Sequence, residues 1–147
     1  MRTYSKVVIN KKALRMAQTG HPWVYGEEVV NIDGPWQTGD LVDVYSEKNK
    51  YVGTGFINDV SKIRVRLVSR NANDTFDDAF WRRRVDYALA YRRTVMGEDD
   101  FSCCRLIFGD ADEMPGLTVD LFSDVLVTQT LCYGMDRIKE RIFKPLV

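Results

Sequence analysis

The sequence predicts an α+β chain, with a small β-rich barrel or sandwich first and a small α/β unit after it. Three observations carry this. Short β-prone runs separated by turn residues fill residues 1–73. A long stretch of helical periodicity follows. Beyond it come a short antiparallel sheet and a second helix within residues 74–147.

Taken in order, Lys6 to Ile9 is a strand, and Lys12 to Thr19 is a helical turn or two that stops at Gly20. Leu41 to Tyr45, Tyr51 to Ile57 and Lys62 to Val68 are strands, set apart by Ser46-Glu47-Lys48-Asn49 and Asn58-Asp59. In Lys62-Ile63-Arg64-Val65-Arg66-Leu67 the pleat places Ile63, Val65 and Leu67 on one face and Lys62, Arg64 and Arg66 on the other. Three cations on one face repel each other unless an anion lies over them or they fan into water. Gly53-Thr54-Gly55 begins like a phosphate-binding glycine loop, but Asn58 stands where the third glycine belongs. The pair lies inside a strand pattern, so it marks a bulge or a close approach of backbones.

Asn71-Ala72-Asn73-Asp74 divides the halves, with Asp74 placed to cap the next helix and Asp77 and Asp78 in its first turn. Phe76, Phe80, Trp81, Val85, Ala88, Leu89 and Met96 make its apolar stripe, and Gly97 stops it. Its arginines have acidic neighbours such as Asp78 and Asp86 to pair with. Arg105 to Phe108 is a strand, and Pro115-Gly116 fits the centre of a type II turn. Leu117 to Leu121 and Val125 to Leu131 form a hairpin around Phe122-Ser123-Asp124. Gly134 to Phe143 is the last helix, with Ile138 and Ile142 on one face.

Composition narrows the function classes. With 45% hydrophobic and 29% charged residues the chain is globular rather than disordered. No apolar run reaches the ~18–20 residues that cross a bilayer, so no membrane partner is expected. The basic N-terminus lacks an apolar signal core, which implies a cytoplasmic protein. Cys103, Cys104 and Cys132 are an odd count without CxxC spacing, which implies buried thiols rather than disulfides or zinc ligands. The net charge of zero conceals an asymmetry: residues 1–73 hold 11 basic and 7 acidic side chains, and residues 74–147 hold 10 and 14. A basic first half suits a polyanion such as RNA, whose phosphates and released counterions supply most of the affinity; a solvated lysine-rich face has the same composition.

Two stretches carry a resemblance. His21-Pro22-Trp23-Val24-Tyr25, then Gly53-Thr54-Gly55-Phe56 and Ser61-Lys62-Ile63-Arg64-Val65-Arg66, resemble the PUA domain of the SAM-dependent methyltransferases that modify cytosine at carbon 5 in large-subunit ribosomal RNA. Arg105-Leu106-Ile107-Phe108-Gly109-Asp110-Ala111-Asp112-Glu113-Met114-Pro115-Gly116-Leu117-Thr118-Val119-Asp120 resembles that family's next segment. There Asp110 replaces the usual glutamate, Glu113 a glycine and Met114 a leucine, so any tight turn that needed glycine at Glu113 is in question.

The resemblance implies a PUA-like β-barrel over residues 1–73 and a connecting α/β domain over 74–147, ahead of a Rossmann-like methyltransferase domain. That last part would bring the SAM loop, a PP dipeptide and the cysteine nucleophile. The four prolines here, Pro22, Pro35, Pro115 and Pro145, include no PP, and no strand–glycine-loop–helix unit is present. The end at Val147 therefore reads as either an artificial boundary or a natural truncation. The chain is expected to hold no catalytic residue, no metal site and no cofactor, with S-adenosylmethionine belonging to the full-length enzyme. Its partner would be ribosomal or other structured RNA, and Lys12, Arg15, His21, Lys62, Arg64 and Arg66 are the candidate contacts. Pro22 and Trp23 are expected to be structural, the indole filling the barrel core or closing its end. The competing readings are a stand-alone PUA-type RNA-binding module and a protein-interaction domain; the segment from Arg105 to Asp120 argues for the enzyme.

Overall fold

A computed structural model describes residues 3–97 and 99–147. The chain divides into two compact units, Met1–Asp74 and Thr75–Val147.

The first unit is one curled six-stranded sheet with a short helix. Its strands are β1 (Ser5–Ile9), β2 (Trp23–Tyr25), β3 (Val29–Asp33), β4 (Leu41–Ser46), β5 (Tyr51–Ile57) and β6 (Ile63–Ser69), and helix α1 spans Lys11–Gln18. Their order across the sheet is β2-β6-β5-β4-β1-β3. Only β1 and β4 run parallel; every other neighbouring pair is antiparallel. Every second residue turns inward, so Val7, Ile9, Val24, Val42, Val44, Ile57, Val65 and Leu67 meet Ala13 and Ala17 of α1 in one core. A fully buried aliphatic side chain of this kind contributes ~1.5–3 kcal/mol. The Asn10 side chain caps α1 by accepting the Ala13 N–H at 2.9 Å, and Gly20 leaves the helix at φ +96°.

Two strands, β2 and β3, were not expected from the sequence. Both are sheet edges: β2 is only three residues long, and β3 has no clean alternation. Between them a short 3-10 turn, Gly26–Glu28, buries Glu28 to 3% exposure. The backbone N–H of Tyr25 donates to the Glu28 carboxylate at 2.9 Å, which offsets the cost of taking that charge out of water.

The glycine pair behaves as expected from its place in a strand. The β5–β6 register shifts between Thr54 and Gly55. A Cβ on Gly53 would stand 2.8 Å from the Ser69 carbonyl oxygen. The two backbones approach closely and only glycine fits.

The second unit holds a three-stranded antiparallel sheet, β7 (Cys103–Phe108), β8 (Leu117–Phe122) and β9 (Val125–Thr130), in that order. Helices α2 (Asp78–Met96) and α3 (Tyr133–Phe143) pack with it. Phe80, Trp81, Val85 and Ala88 are the buried face of α2. The cap of α2 is not Asp74. Asp77 accepts the Phe80 N–H at 2.9 Å, and Asp74 accepts from the Ser69 hydroxyl at 2.6 Å instead. An N-cap carboxylate must stand directly ahead of the first helical residue to reach the free N–H groups, and Asp74 lies too far upstream.

Glu113 adopts the left-handed conformation, φ 57° and ψ 32°, so the turn survives without glycine there. The next turn closes with Leu117 N–H on the Met114 carbonyl at 3.2 Å, and Gly116 takes φ +73°, the geometry that Pro115-Gly116 predicts. The cysteines depart from expectation: all three are free thiols, but only Cys132 is buried, while Cys104 is half-buried and Cys103 exposed. Both lie on β7, one of the two edge strands of this sheet, where one side stays open.

Candidate nucleic-acid interface

The pleat of β6 sends Val65 and Leu67 into the core and leaves Arg64 and Arg66 half-buried on the opposite face. Lys62 stands exposed one residue before the strand. Trp23 of β2 pairs directly with Arg66, and the Arg66 guanidinium carbon lies 5.3 Å from the indole centroid. That is cation–π distance. It fixes a planar cation against a planar aromatic on an open face.

Arg64 is held differently. A Cβ on Gly26 would stand 3.0 Å from its Nη2, so the guanidinium lies along that glycine backbone. Its Nε is buried and has no hydrogen-bond partner among the described residues.

His21 lies beside this pair, edge-on to Trp23 at 5.7 Å and to Tyr25 at 6.4 Å between ring centroids. Its Nδ1 accepts the Trp23 N–H at 3.1 Å, which leaves Nε2 as the nitrogen that carries the proton in the neutral ring. The imidazole therefore orders the Trp23 segment and presents one remaining donor. Trp23 itself is not the core indole. Val24 enters the core, and the tryptophan packed against that core is Trp36. On a strand, neighbours face opposite ways, so the HPWVY segment cannot bury both.

Lys12 and Arg15 are exposed on α1. Arg15 lines a concavity of about 500 Å³ together with Lys11, Lys48, Lys50, Tyr51 and Arg70; Lys12 does not line it. The candidates thus fall into two groups, one on β2–β6 and one around α1. Arg70, at the end of β6, touches both: it donates to the Ala17 carbonyl at 2.5 Å and to the His21 carbonyl at 3.2 Å. Sequence reading missed Lys48, Lys50 and Arg70, because Lys48 sits in a turn that reads only as a separator and Arg70 lies beyond the alternating run.

The charges of the two units are used differently. In the second unit Arg92 pairs with Asp112 at 2.8 Å, Arg105 with Asp120 at 2.7 Å, Arg141 with Asp78 at 2.5 Å, and Arg84 with Glu113. Asp86, one of the acidic neighbours expected to pair with an arginine of this helix, does so with Arg82 at 4.0 Å. Among the described residues, by contrast, none of Lys11, Lys12, Arg15, Lys48, Lys50, Lys62, Arg64 and Arg66 pairs with a carboxylate. Their summed field is positive, which favours an anion near this surface.

Residues 7–70 match the family described as the PUA-like domain. The first unit is a PUA-like domain. Around this domain and beyond it, the chain is related to proteins named ribosomal RNA large subunit methyltransferase I. It is 30% identical to that of Alteromonas mediterranea over 94% of this chain and 35% of the relative. With that of Aliivibrio fischeri it shares 32% identity over 92% of this chain and 34% of the relative. The chain thus spans about a third of the length of the curated relatives it matches. A solved structure from Streptococcus mutans, described as a candidate SAM-dependent methyltransferase, superimposes with a TM-score of 0.81 over 96% of this chain and 36% of that one. Their identity is 16%, so the likeness is one of fold. The relationship that the PUA-like motif and the Arg105–Asp120 segment imply therefore extends over both units.

The remaining site chemistry is sparse. Among the described residues no group of three or more His, Cys, Asp and Glu side chains could hold a metal. Among the same residues no helix is long and apolar enough to cross a membrane. Burial raises the Cys104 thiol, with the nearby Arg92 opposing and Cys103 and Asp120 adding to the rise. That is the wrong direction for a nucleophile.

Proposed function

We propose that this chain is the RNA-gripping part of a SAM-dependent large-subunit ribosomal RNA (cytosine-5) methyltransferase, without a catalytic centre of its own. The observation that carries it is the half-buried Arg66–Trp23 pair on the side of β6 away from the core, beside Arg64 and Lys62, none of these cations being paired with a carboxylate among the described residues. Guanidinium and indole together offer a phosphate partner and a stacking surface, the two things single-stranded or flipped-out RNA requires. His21 extends this surface, and Lys12 and Arg15 form the second basic group, around α1.

S-adenosylmethionine belongs, in this reading, to the part of the enzyme outside these residues. The glycines that could have cradled it, Gly53 and Gly55, lie inside β5 with the β6 backbone against them, so no cofactor loop opens there. The raised Cys104 thiol fits a structural role, and three free thiols suit the cytoplasm. The chain would hold the target RNA while the absent domain extrudes the cytosine and supplies the methyl group.

The test is fluorescence anisotropy of a labelled large-subunit ribosomal RNA fragment with the 147-residue chain across a salt series. Binding that weakens steeply with salt is expected. Binding that does not respond to salt, or none at low salt, defeats the proposal. Calorimetry with SAM is expected to show no heat of binding.

A further inference from the structure

We propose that the concavity between α1 and the β4–β5 turn holds one unpaired nucleotide of the bound RNA, its base on an apolar floor and its phosphates on a lysine–arginine rim. This rests on the RNA-binding reading above and adds to it a second contact that is distinct from the Arg66–Trp23 face.

The half-buried Leu14 and Val52 give the concavity its apolar floor, over the buried Ile9 and Ala17, and Tyr51 lines it too. The Tyr51 hydroxyl is hydrogen-bonded to the Thr54 hydroxyl at 2.7 Å, and its ring meets Tyr45 edge-on at 5.7 Å, so the wall is fixed before any ligand arrives. A volume of about 500 Å³ lies in the range of ~300–1,000 Å³ that takes one small organic group.

Charge decides what kind of group. Lys11, Arg15, Lys48, Lys50 and Arg70 line the concavity, against a single carboxylate, Glu47. The four cations other than Arg70 are exposed and pair with no carboxylate among the described residues. Arg70 is braced by the Ala17 and His21 carbonyls. An apolar floor with this rim fits a flat heterocycle carrying phosphate rather than a peptide or a neutral metabolite.

The placement of the cations separates a polymer from a free nucleotide. They come from three different elements, the helix, the turn and the end of β6, so more than one phosphate has a partner. A chain that passes over the floor meets them in succession. Paired RNA does not offer a base for the floor, because its bases stay stacked inside the helix. The nucleotide must come from a loop, bulge or end.

The experiment compares a blunt RNA duplex with a hairpin of the same stem and an unpaired loop, both titrated with the whole chain. Two variants probe the concavity at exposed positions. Lys48→Ala with Lys50→Ala removes rim charge, and Gln18→Trp fills the space without changing charge. The hairpin should bind more tightly than the duplex, and each variant should lower hairpin affinity on the order of tenfold at low salt while the duplex hardly changes. Circular dichroism checks that both variants stay folded. Hairpin and duplex affinities that fall together, or do not fall, overturn the concavity proposal and leave the RNA-binding reading standing. Adenosine monophosphate that displaces the hairpin at its own dissociation constant for the chain would overturn it too, in favour of a free-nucleotide site. Failure of the unmodified chain to bind either RNA overturns the RNA-binding reading itself.

Discussion

The carbonyl oxygen of Arg66 lies 2.1 Å from the point where a Cβ on Gly55 would stand. The residue that presents its guanidinium over Trp23 is thus positioned by the missing side chain of its neighbour on β5. Any substitution there must push β6 away, because the obstacle is backbone and cannot rotate aside. Gly55→Ala should cost about 3 kcal/mol or more, at the upper end of overpacking. Gly20→Ala is the control: its Cβ would meet nothing within 4 Å, but its φ of +96° strains any side chain, at about 1–2 kcal/mol. Urea unfolding of the two variants compares them directly. Equal losses would show that the close approach is not what holds glycine at position 55.

Arg64→Ala with Arg66→Ala should weaken RNA binding with little effect on folding. Both side chains stand on the face away from the core, so what folding loses is the packing of their stems, below about 1 kcal/mol. If each contacts one phosphate of unpaired RNA, the slope of log K against log salt should fall by about 1.4 for the pair. An unchanged affinity and slope would remove this face from the interface.

That face was legible in the sequence because one signal produced it: alternation in Ile63-Arg64-Val65-Arg66-Leu67, which the structure keeps from Arg64 to Leu67, while Ile63 is only half-buried. The glycine pair was legible for a related reason, since glycines inside a strand pattern have few other uses. Trp23 was not. The motif marks its segment, but only the pairing of β2 with β6 shows that Val24 takes the inside and the indole the outside. β2 escaped notice because three residues are too few to show a period, and β3 because its burial does not alternate. The rim of the α1 concavity was also hidden. Lys48, Lys50 and Arg70 are brought to Arg15 by sheet order, and spacing along the chain does not encode that.

Asp77→Ala should destabilise the second unit by about 1 kcal/mol through the loss of one cap. The Asp77 carboxylate accepts the Phe80 N–H at 2.9 Å, at the positive end of a 19-residue helix. Asp77→Asn keeps an acceptor oxygen and should recover most of that loss. Thermal unfolding of the two variants separates the hydrogen bond from the charge; an alanine variant as stable as the parent would show that α2 does not depend on this cap.

The acid side of the stability curve should carry the signature of Asp120. Arg105 donates to both of its oxygens, Nε to Oδ1 at 2.7 Å and Nη2 to Oδ2 at 3.1 Å. That hydrogen bonding holds the Asp120 carboxyl below its ordinary value of 3.8, against an opposing push from burial and with further help from the arginine charge. Asp136 is lowered too, first by the Thr130 hydroxyl and then by Lys139. Because both folded-state values lie below the unfolded ones, the unfolded chain takes up these protons first as the solution is acidified. Their contribution is complete above the ordinary carboxylate range and is lost as pH falls through each depressed value. The urea midpoint should therefore hold steady from about pH 7 to about pH 5 and decline below about pH 4. Asp120→Asn should lower the midpoint at neutral pH and flatten the acid decline, since the asparagine has no proton to take up. Midpoints measured at closely spaced pH values make the comparison, and a variant that declines as steeply as the parent would show that the Arg105–Asp120 pair does not stabilise the sheet.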